Sequence, residues 1–358
     1  MKPMDTSGMH PAGRAYHRRM SESSPAVYIL HENEEWIPPL AAALDAAGVP
    51  HREWLLSGGS IDLGSEPPEG VFWSRLSASS HTRGHEHAKD VSRAVLRWLE
   101  SWGRRVINGS RVVELEVSKV AQYAVLRAAG FEVPHTVAVF GTDDLKTRAR
   151  ELPTPFITKH NQGGKGLGVR RFDSVEEFDA YVDGPEFEEP IDGITLLQEY
   201  VATAAPFITR AEFVGGRFVY AVKVDTSAGS FELCPAEACA VPVQGGFAPA
   251  ACDVPAVADA VASGADAVPA SSLFSERDDI DASTPLIAKL ERFLADQGIE
   301  VAGVEFFETV DGRLIPYDIN TNTNYSPDVE AVSSRSAAAA VARFVGAELA
   351  ARYQAVSA

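Results

Sequence analysis

The stretch from residue 303 to residue 325 reads GVEFFETVDGRLIPYDINTNTNY and predicts a β-hairpin that carries acidic side chains. Asp311-Gly312 between two runs of β-forming residues is typical of a two-residue type I′ turn, whose central residues both have positive φ. Pairing outward from this turn places Glu305 directly opposite Asp318. Pro316 leaves open a bulge that would shift this register.

Opposed carboxylates in an antiparallel pair lie roughly 5 Å apart and repel each other unless a positive charge sits between them. Asn320 adds an amide two residues beyond Asp318 on the same face. Such oxygen ligands suit Mg²⁺, which completes its coordination shell with water and substrate phosphates. The hairpin therefore predicts a magnesium site at Glu305, Asp318 and Asn320. The alternative is a solvated sheet face on which acidic residues meet without a ligand.

Composition restricts the class of protein. The chain has 358 residues, 45% of them hydrophobic, which is enough for a large core and two or three domains. A net charge of −18 argues against a general nucleic-acid or anionic-membrane surface. No apolar run is long enough to span a membrane. Cys234, Cys239 and Cys252 are too few for a disulfide framework and favour a reducing cytoplasm.

Residues 1–24 are expected to be a disordered leader, because they lack the apolar segment of a signal peptide. Strands and helices then alternate over residues 25–112, which predicts a small open α/β domain. A polar loop follows its third strand, where such domains place ligands. Arg75, Ser80 and Arg83 in that loop are candidates to bind the substrate, and a solvated surface loop is the alternative.

Residues 113–197 form the next predicted domain. Ser118 is expected to cap a helix with Lys119 in its first turn, where a lysine opposes the helix dipole and so suggests a ligand. A strand then leads through Lys159 into HNQGGKGLGV, residues 160–169. A strand and not a helix follows, so the segment is neither a Walker loop nor a dinucleotide motif. A glycine flap over phosphates is expected, with Lys165 as a second charge; a flexible glycine hairpin is the alternative.

Residues 198–352 form the last predicted domain. Gly215-Gly216 predicts a hairpin that pairs Arg210 with Ala221 and Ile208 with Lys223. The two cations would then be diagonal neighbours on one face and favour an anion between them, unless the face is merely solvated. Residues 225–283 are expected to be a long irregular excursion.

These motifs, in this order over residues 105–330, resemble the ATP-grasp superfamily and look most like RimK-type amino-acid ligases. The resemblance implies an α/β (α+β) fold of three subdomains, with ATP clamped between the central and the C-terminal one. It implies ATP contacts from Lys119, Lys159, Gly163, Gly164, Lys165, Gly166, Gln198, Glu199, Tyr200 and Val201. It also implies a catalytic role for Arg210 and Lys223, Mg²⁺ at Glu305, Asp318 and Asn320, and substrate contacts from Asn322 with Arg75, Ser80 and Arg83. Two Mg²⁺ ions are expected, with Mn²⁺ as a substitute.

Such a protein would be an ADP-forming carboxylate-amine ligase that works through an acylphosphate on amino acids or peptides. Two alternatives remain open: a ligase that joins side chains within a ribosomal peptide, and an ATP-binding module without ligase chemistry. The expected partners are a small carboxylate and an amine, with no nucleic acid and no membrane, and a homodimer is left open. Asp318 stands where the family usually has Glu, and His160 where proline commonly follows the lysine.

Overall fold

The computed structural model describes residues 24–164, 166, 168–227 and 273–353. The predictions for the leader (residues 1–23), for Lys165, for the three cysteines and for most of the excursion (residues 228–272) lie outside the described residues. Within the described ranges, no helix is both long enough and apolar enough to cross a membrane.

The N-terminal domain is built on a parallel sheet in the order β2-β1-β3-β4. Its strands are β1 (Ala26–His31), β2 (His51–Leu55), β3 (Gly70–Arg75) and β4 (Arg105–Ile107). Its helices are α1 (Pro38–Ala46) and α2 (Ala88–Ser101), with 3₁₀ turns at Glu34–Trp36 and Ser80–Arg83. β1 and β3 are buried along their whole length, as expected for parallel strands covered on both faces. The 3₁₀ turn at Glu34–Trp36 is separate from α1, because Pro38 starts a new helix.

Two short helices, α3 (Ser110–Glu116) and α4 (Lys119–Ala128), connect this domain to the central one. The oxygen of Ser118 accepts a hydrogen bond from the Ala121 backbone, which confirms the predicted cap. Both helices pack on the C-terminal sheet, where Leu115 and Leu126 join its apolar core. This packing places Lys119 at the edge of that sheet.

The central domain is an antiparallel sheet in the order β5-β8-β6-β7. Its strands are β5 (Thr136–Phe140), β6 (Phe156–His160), β7 (Arg170–Phe172) and β8 (Ile194–Glu199), and its helices are α5 (Leu145–Ala149) and α6 (Val175–Asp183). Phe156, Phe172 and Phe178 form the centre of a separate small core. The glycine segment joins β6 directly to β7, so the strand–loop–strand order is confirmed.

The C-terminal domain is an antiparallel sheet in the order β11-β10-β9-β12-β13. Its strands are β9 (Phe207–Val214), β10 (Arg217–Asp225), β11 (Phe274–Glu276), β12 (Val301–Glu308) and β13 (Leu314–Asn320). Its helices are α7 (Pro285–Gln297), α8 (Pro327–Val332) and α9 (Ala337–Tyr353). One face of the sheet packs on α7, and the other shares a core with the N-terminal sheet through α1 and α9.

Polar contacts reinforce this union of the N-terminal and C-terminal domains. Asn108, a non-glycine residue with a φ of 52°, donates from its amide to the carbonyl oxygens of Val301 and Thr321 at 2.7 and 3.1 Å. Arg105 donates to Glu348 at 2.6 Å and to Glu300 at 2.9 Å. These bonds fix β4 against the edge of the C-terminal sheet.

The acidic hairpin pairs Glu305 with Asp318 as predicted, but its turn differs. Gly312 has a φ of 79°, whereas Asp311 does not adopt a positive φ, so the predicted type I′ turn is wrong. The turn takes one residue more, which shifts the pairs next to it by one: Phe307 lies opposite Ile315. A bulge at Tyr317 then restores the register before Glu305.

The hairpin of β9 and β10 also differs from its prediction. A bulge between Phe218 and Tyr220 shifts the register, so that Arg210 pairs with Val222 and Lys223 with Thr209. Side chains alternate between the two faces of a strand, so Lys223 and Arg210 lie on opposite faces. The predicted anion site between the two cations is therefore wrong.

Candidate functional site

A cleft lies between the central and C-terminal sheets and extends to the N-terminal loop. Most of the predicted site residues line it: Lys119, Lys159, Gly163, Gly164, Gly166, Gln198, Glu199, Tyr200, Val201, Arg210, Glu305, Asp318, Asn320 and Asn322. Other lining residues come from the N-terminal domain and the hairpins: Trp36, Ser77, Ser79, Glu116, Phe307, Tyr317 and Asn324.

Asp318 is paired with a lysine from α4. Its Oδ1 lies 2.5 Å from Nζ of Lys119, and both side chains are largely buried. Burial alone would raise the pKa of Asp318, but the ammonium groups of Lys119 and Lys159 outweigh it and hold the pKa below its ordinary value. Lys119 therefore keeps Asp318 ionised, which also explains why a lysine is tolerated in the first turn of a helix.

Glu305 lies in a different electrostatic environment from Asp318. Its carboxylate accepts from the hydroxyl of Tyr317 at 2.8 Å and faces Nη1 of Arg210 at 3.5 Å and the Asn320 amide at 3.4 Å. Burial raises the pKa of Glu305, and Arg210 offsets only part of that effect. The bulge explains how Tyr317 and Asp318, although adjacent in sequence, both face the cleft.

Lys159 projects from β6 into the same space. Its Nζ lies 3.3 Å from the hydroxyl of Tyr123 and 5.1 Å from the ring centre of Tyr317. Gln198 donates to the Tyr123 hydroxyl at 2.8 Å and so orients it. Burial lowers the pKa of Lys159, and Asp318 and Glu305 offset part of this effect. Lys159 is thus a buried cation surrounded by aromatic rings and by the acidic pair.

The donor set fits a magnesium ion in its chemistry. Glu305 and Asp318 lie opposite each other, and Asn320 supplies an amide on the same side of β13. Hard oxygen donors of this kind suit Mg²⁺ better than zinc. In the described part of the chain, no group of three or more His, Cys, Asp and Glu side chains is placed to hold a metal. The third predicted ligand, Asn320, is an amide and so falls outside these four side-chain types.

The three candidates of the N-terminal loop, Arg75, Ser80 and Arg83, are absent from the residues that line the cleft. Arg75 is 1% exposed and donates to the Thr323 carbonyl and the Asn324 amide oxygen, both at 2.8 Å. Arg83 pairs with buried Glu32 at 2.8 Å and stacks over the ring of Trp36.

Both guanidinium groups are thus engaged inside the protein, and the assignment of this loop to the substrate stays a prediction. Ser80 is also buried, at 1% exposure. Instead, the neighbouring Ser77 and Ser79 reach the cleft. Nothing in the loop sequence distinguishes these serines from Ser80.

Further polar residues at the site were not predicted: Glu116 lines the cleft, and Glu212 and Thr323 contact Arg210 behind it. Glu116 accepts from the backbone and the hydroxyl of Thr321 at 2.7 and 2.8 Å, and from the Ala78 backbone at 3.2 Å. It therefore joins the N-terminal loop to the segment after β13. Glu212 could have been found, because it follows Arg210 by two residues and so lies on the same face of its strand. No sequence pattern indicates Glu116.

Comparisons with known proteins agree with this architecture. No protein-family model matches the chain. A probable alpha-L-glutamate ligase of Xanthomonas oryzae pv. oryzae is 29% identical over 142 residues, which cover 38% of this chain and 46% of that protein. The match thus spans about half the length of the curated relative.

Solved structures match over most of the chain. A RimK-domain ATP-grasp protein of Sphaerobacter thermophilus has a TM-score of 0.59 at 16% identity, over 89% of this chain and 98% of that one. The ATP-grasp ligase PsnB, solved in complex with a minimal precursor, has a TM-score of 0.58 at 14% identity, over 91% and 100%. The chain therefore has the ATP-grasp fold, and its resemblance to RimK-type ATP-grasp proteins is confirmed.

Proposed function

We propose that the protein is an ATP-dependent, ADP-forming ligase that joins a carboxylate to an amine. The observation that supports this proposal is the meeting of Lys119, Lys159 and Arg210 with the acidic pair in one cleft. Cations suit the phosphates of ATP, and the acidic pair suits Mg²⁺, which when bound neutralises phosphate charge. An ATP-binding module without chemistry would not require Arg210 beside the acidic pair.

In the proposed reaction, an oxygen of the substrate carboxylate attacks the γ-phosphorus, and the bond between that phosphorus and ADP breaks. The amine then attacks the carbonyl carbon of the acylphosphate, phosphate leaves, and the amine loses a proton. The protein mainly positions the reactants and neutralises charge, since phosphoryl transfer requires little covalent help. Lys119 and Lys159 bind phosphates, Arg210 stabilises the reacting anion, and Glu305, Asp318 and Asn320 hold two Mg²⁺ ions or Mn²⁺.

The remaining assignments concern the nucleotide base and the substrates. Gln198, Glu199, Tyr200 and Val201 form the segment proposed to meet adenine, and Gly163, Gly164 and Gly166 cover the phosphates. Asn322 is proposed to contact the substrate, and its buried Oδ1 has no hydrogen-bond partner within the described residues. An amino acid or a peptide is the proposed substrate class, with the cytoplasm as the compartment.

A second candidate is a ligase that joins side chains within a ribosomal peptide. The likeness to PsnB, which was solved with its precursor, favours it. Product mass separates the two: cyclisation within one peptide removes the mass of water, whereas ligation adds the mass of an amine less water. A screen of amino acids, dipeptides and precursor-like peptides for ADP release, followed by mass spectrometry of the products, makes this distinction.

Lys159→Ala tests the proposal directly. We expect kcat to fall by about 10² to 10³, the effect of removing one preorganised electrostatic contact. Lys146→Ala is the matched control, because Lys146 pairs with Asp183 at 2.5 Å on the outer helices and does not line the cleft. Wild-type turnover in Lys159→Ala would contradict the assignment.

A further inference from the structure

Arg210 is held by a second carboxylate besides Glu305. Glu212 lies two residues further along β9, on the same face, and is 2% exposed. Nε of Arg210 donates to Oε1 of Glu212 at 2.8 Å. Arg210 is thus flanked by two carboxylates. Glu212 is the closer of the two and does not line the cleft, whereas Glu305 does.

Thr323 closes this contact into a ring of hydrogen bonds. Its hydroxyl donates to Oε2 of Glu212 at 2.7 Å and accepts from Nη2 of Arg210. The Thr323 hydroxyl thus uses its one proton as a donor and its oxygen as an acceptor. Glu212 and Thr323 therefore hold the side of the guanidinium group that carries Nε and Nη2.

Gly303 supplies the surface on which the guanidinium lies. It pairs with Glu212 across β9 and β12, next to the Glu305–Arg210 pair. A Cβ at this position would lie 2.5 Å from Nε, 2.9 Å from Nη2 and 3.0 Å from Cζ of Arg210. The φ of Gly303 is not positive, so this glycine is required for space and not for backbone conformation.

We propose that Glu212, Thr323 and Gly303 form a clamp that fixes the orientation of Arg210 and are positioning residues for the reaction. The physical reason is competition between carboxylates. A flexible guanidinium next to Glu305 would rotate to form a close ion pair with it, since paired geometry is favoured in a buried site. The clamp holds Nη1 at 3.5 Å from Glu305, on the cleft side, where a reacting anion can be met.

This inference rests on the proposed function only where it assigns Arg210 to the reacting anion. Glu212→Gln keeps the shape of the side chain but removes its charge, and Thr323→Val removes the hydroxyl. We expect each to lower kcat by about 10- to 100-fold, since small misplacements of a reacting group cost up to about 10² in rate. The KM for ATP should change by less than about threefold. Thr323→Ser keeps the hydroxyl and should restore most of kcat.

Thr209→Val is the matched control for Thr323→Val. Thr209 is a buried threonine on β9 whose hydroxyl also accepts from an arginine, Arg277, at 2.9 Å, but on the opposite face of the sheet. We expect kcat in this variant to stay within about twofold of wild type. A loss of kcat in Thr209→Val equal to that in Thr323→Val would overturn the clamp.

A second readout does not depend on turnover. The Nε–H of Arg210 gives an NMR signal that Arg210→Lys identifies by its loss. Because this proton is buried and bonded to a carboxylate, it should exchange slowly with solvent in the wild type and at least tenfold faster in Glu212→Gln and in Gly303→Ala.

Three outcomes are decisive. Unchanged exchange and unchanged kcat in Glu212→Gln and Thr323→Val overturn the clamp. A raised KM for ATP at unchanged kcat also overturns it, because these residues would then serve nucleotide binding. If the Nε–H of Arg210 is protected in the wild type and loses that protection in Glu212→Gln, the clamp is supported. If the same wild-type protein ligates no substrate, the proposed ligase is refuted while the clamp stands.

Discussion

The two hairpins of the C-terminal sheet each contain a bulge, yet they present their charged residues differently. In the acidic hairpin, Glu305 and Asp318 both face the cleft. In the other hairpin, Arg210 faces the cleft, whereas Lys223 lies on the opposite face, with its Nζ 4.9 Å from the ring centre of Phe207. The number of residues between the turn and a charged side chain therefore decides which face that side chain occupies, because one residue more or less moves it to the other face.

The largest expected effect separates Arg210 from Lys223. We expect Arg210→Ala to lower kcat by about 10² to 10³, as for other preorganised charges in a water-excluded site. Lys223→Ala should change kcat by less than about threefold, since it lies away from the cleft and substitutions at such positions usually cost little. Steady-state ADP release measures both. An equal loss in the two variants would show that the faces are not separated in function.

The next effect separates the two acids of the cleft-facing hairpin in metal-free protein. Asp318→Asn removes the partner of buried Lys119, and we expect the free energy of unfolding to fall by about 1 to 3 kcal/mol. Glu305→Gln removes a carboxylate whose ionisation burial disfavours, so stability should stay equal or rise slightly. Urea denaturation in a chelating buffer measures both values.

The pH dependence of the unfolding free energy provides a control for the pairing of Asp318 with Lys119. The pKa of Asp318 is lowered in the folded protein, so its stabilisation is complete above the ordinary aspartate pKa and is lost as pH falls through the lowered value. The difference in unfolding free energy between wild type and Asp318→Asn should therefore be constant near neutral pH and decrease in acid. A difference that grows in acid would contradict the Lys119 pairing.

The smallest effect compares the two turns. Gly312 has a φ of 79° and open space around a Cβ, so Gly312→Ala should cost only the left-handed strain, about 1 kcal/mol. Gly215 has a φ of 60°, and a Cβ there would lie 3.1 Å from the ring of Phe344. Gly215→Ala should therefore cost more, about 2 kcal/mol. Thermal unfolding distinguishes the two, and equal costs would mean that Phe344 moves aside freely.

Turn chemistry and strand pattern were sufficient to predict the two hairpins of the C-terminal sheet and the meeting of Glu305 with Asp318. That pairing survives because two errors cancel: the turn is one residue longer than predicted, and the bulge at Tyr317 compensates. No compensation occurs beyond Phe218, so the predicted partner of Lys223 is wrong. Bulges depend on packing against other elements, which the sequence of a hairpin alone does not contain.

The N-terminal loop shows a second limit of sequence reasoning. Arginines and serines in a polar loop predict a surface that binds ligands, but Arg75 and Arg83 are used to join elements far apart in the chain. Their partners, Thr323, Asn324 and Glu32, are brought near only by the tertiary fold. Local patterns therefore predicted the kinds of residue at the site better than their individual roles.

The core that the N-terminal and C-terminal sheets share makes these two sheets one packed unit beside the cleft. Separating these two domains would expose their common apolar interior and break the Asn108 and Arg105 bonds. The central sheet has its own apolar interior. Two segments, residues 129–135 and 200–206, connect the central sheet to the rest of the chain. Lys159 reaches the cleft from the central sheet and Asp318 reaches it from the C-terminal sheet, so the charges of the site are assembled where two separately packed units meet.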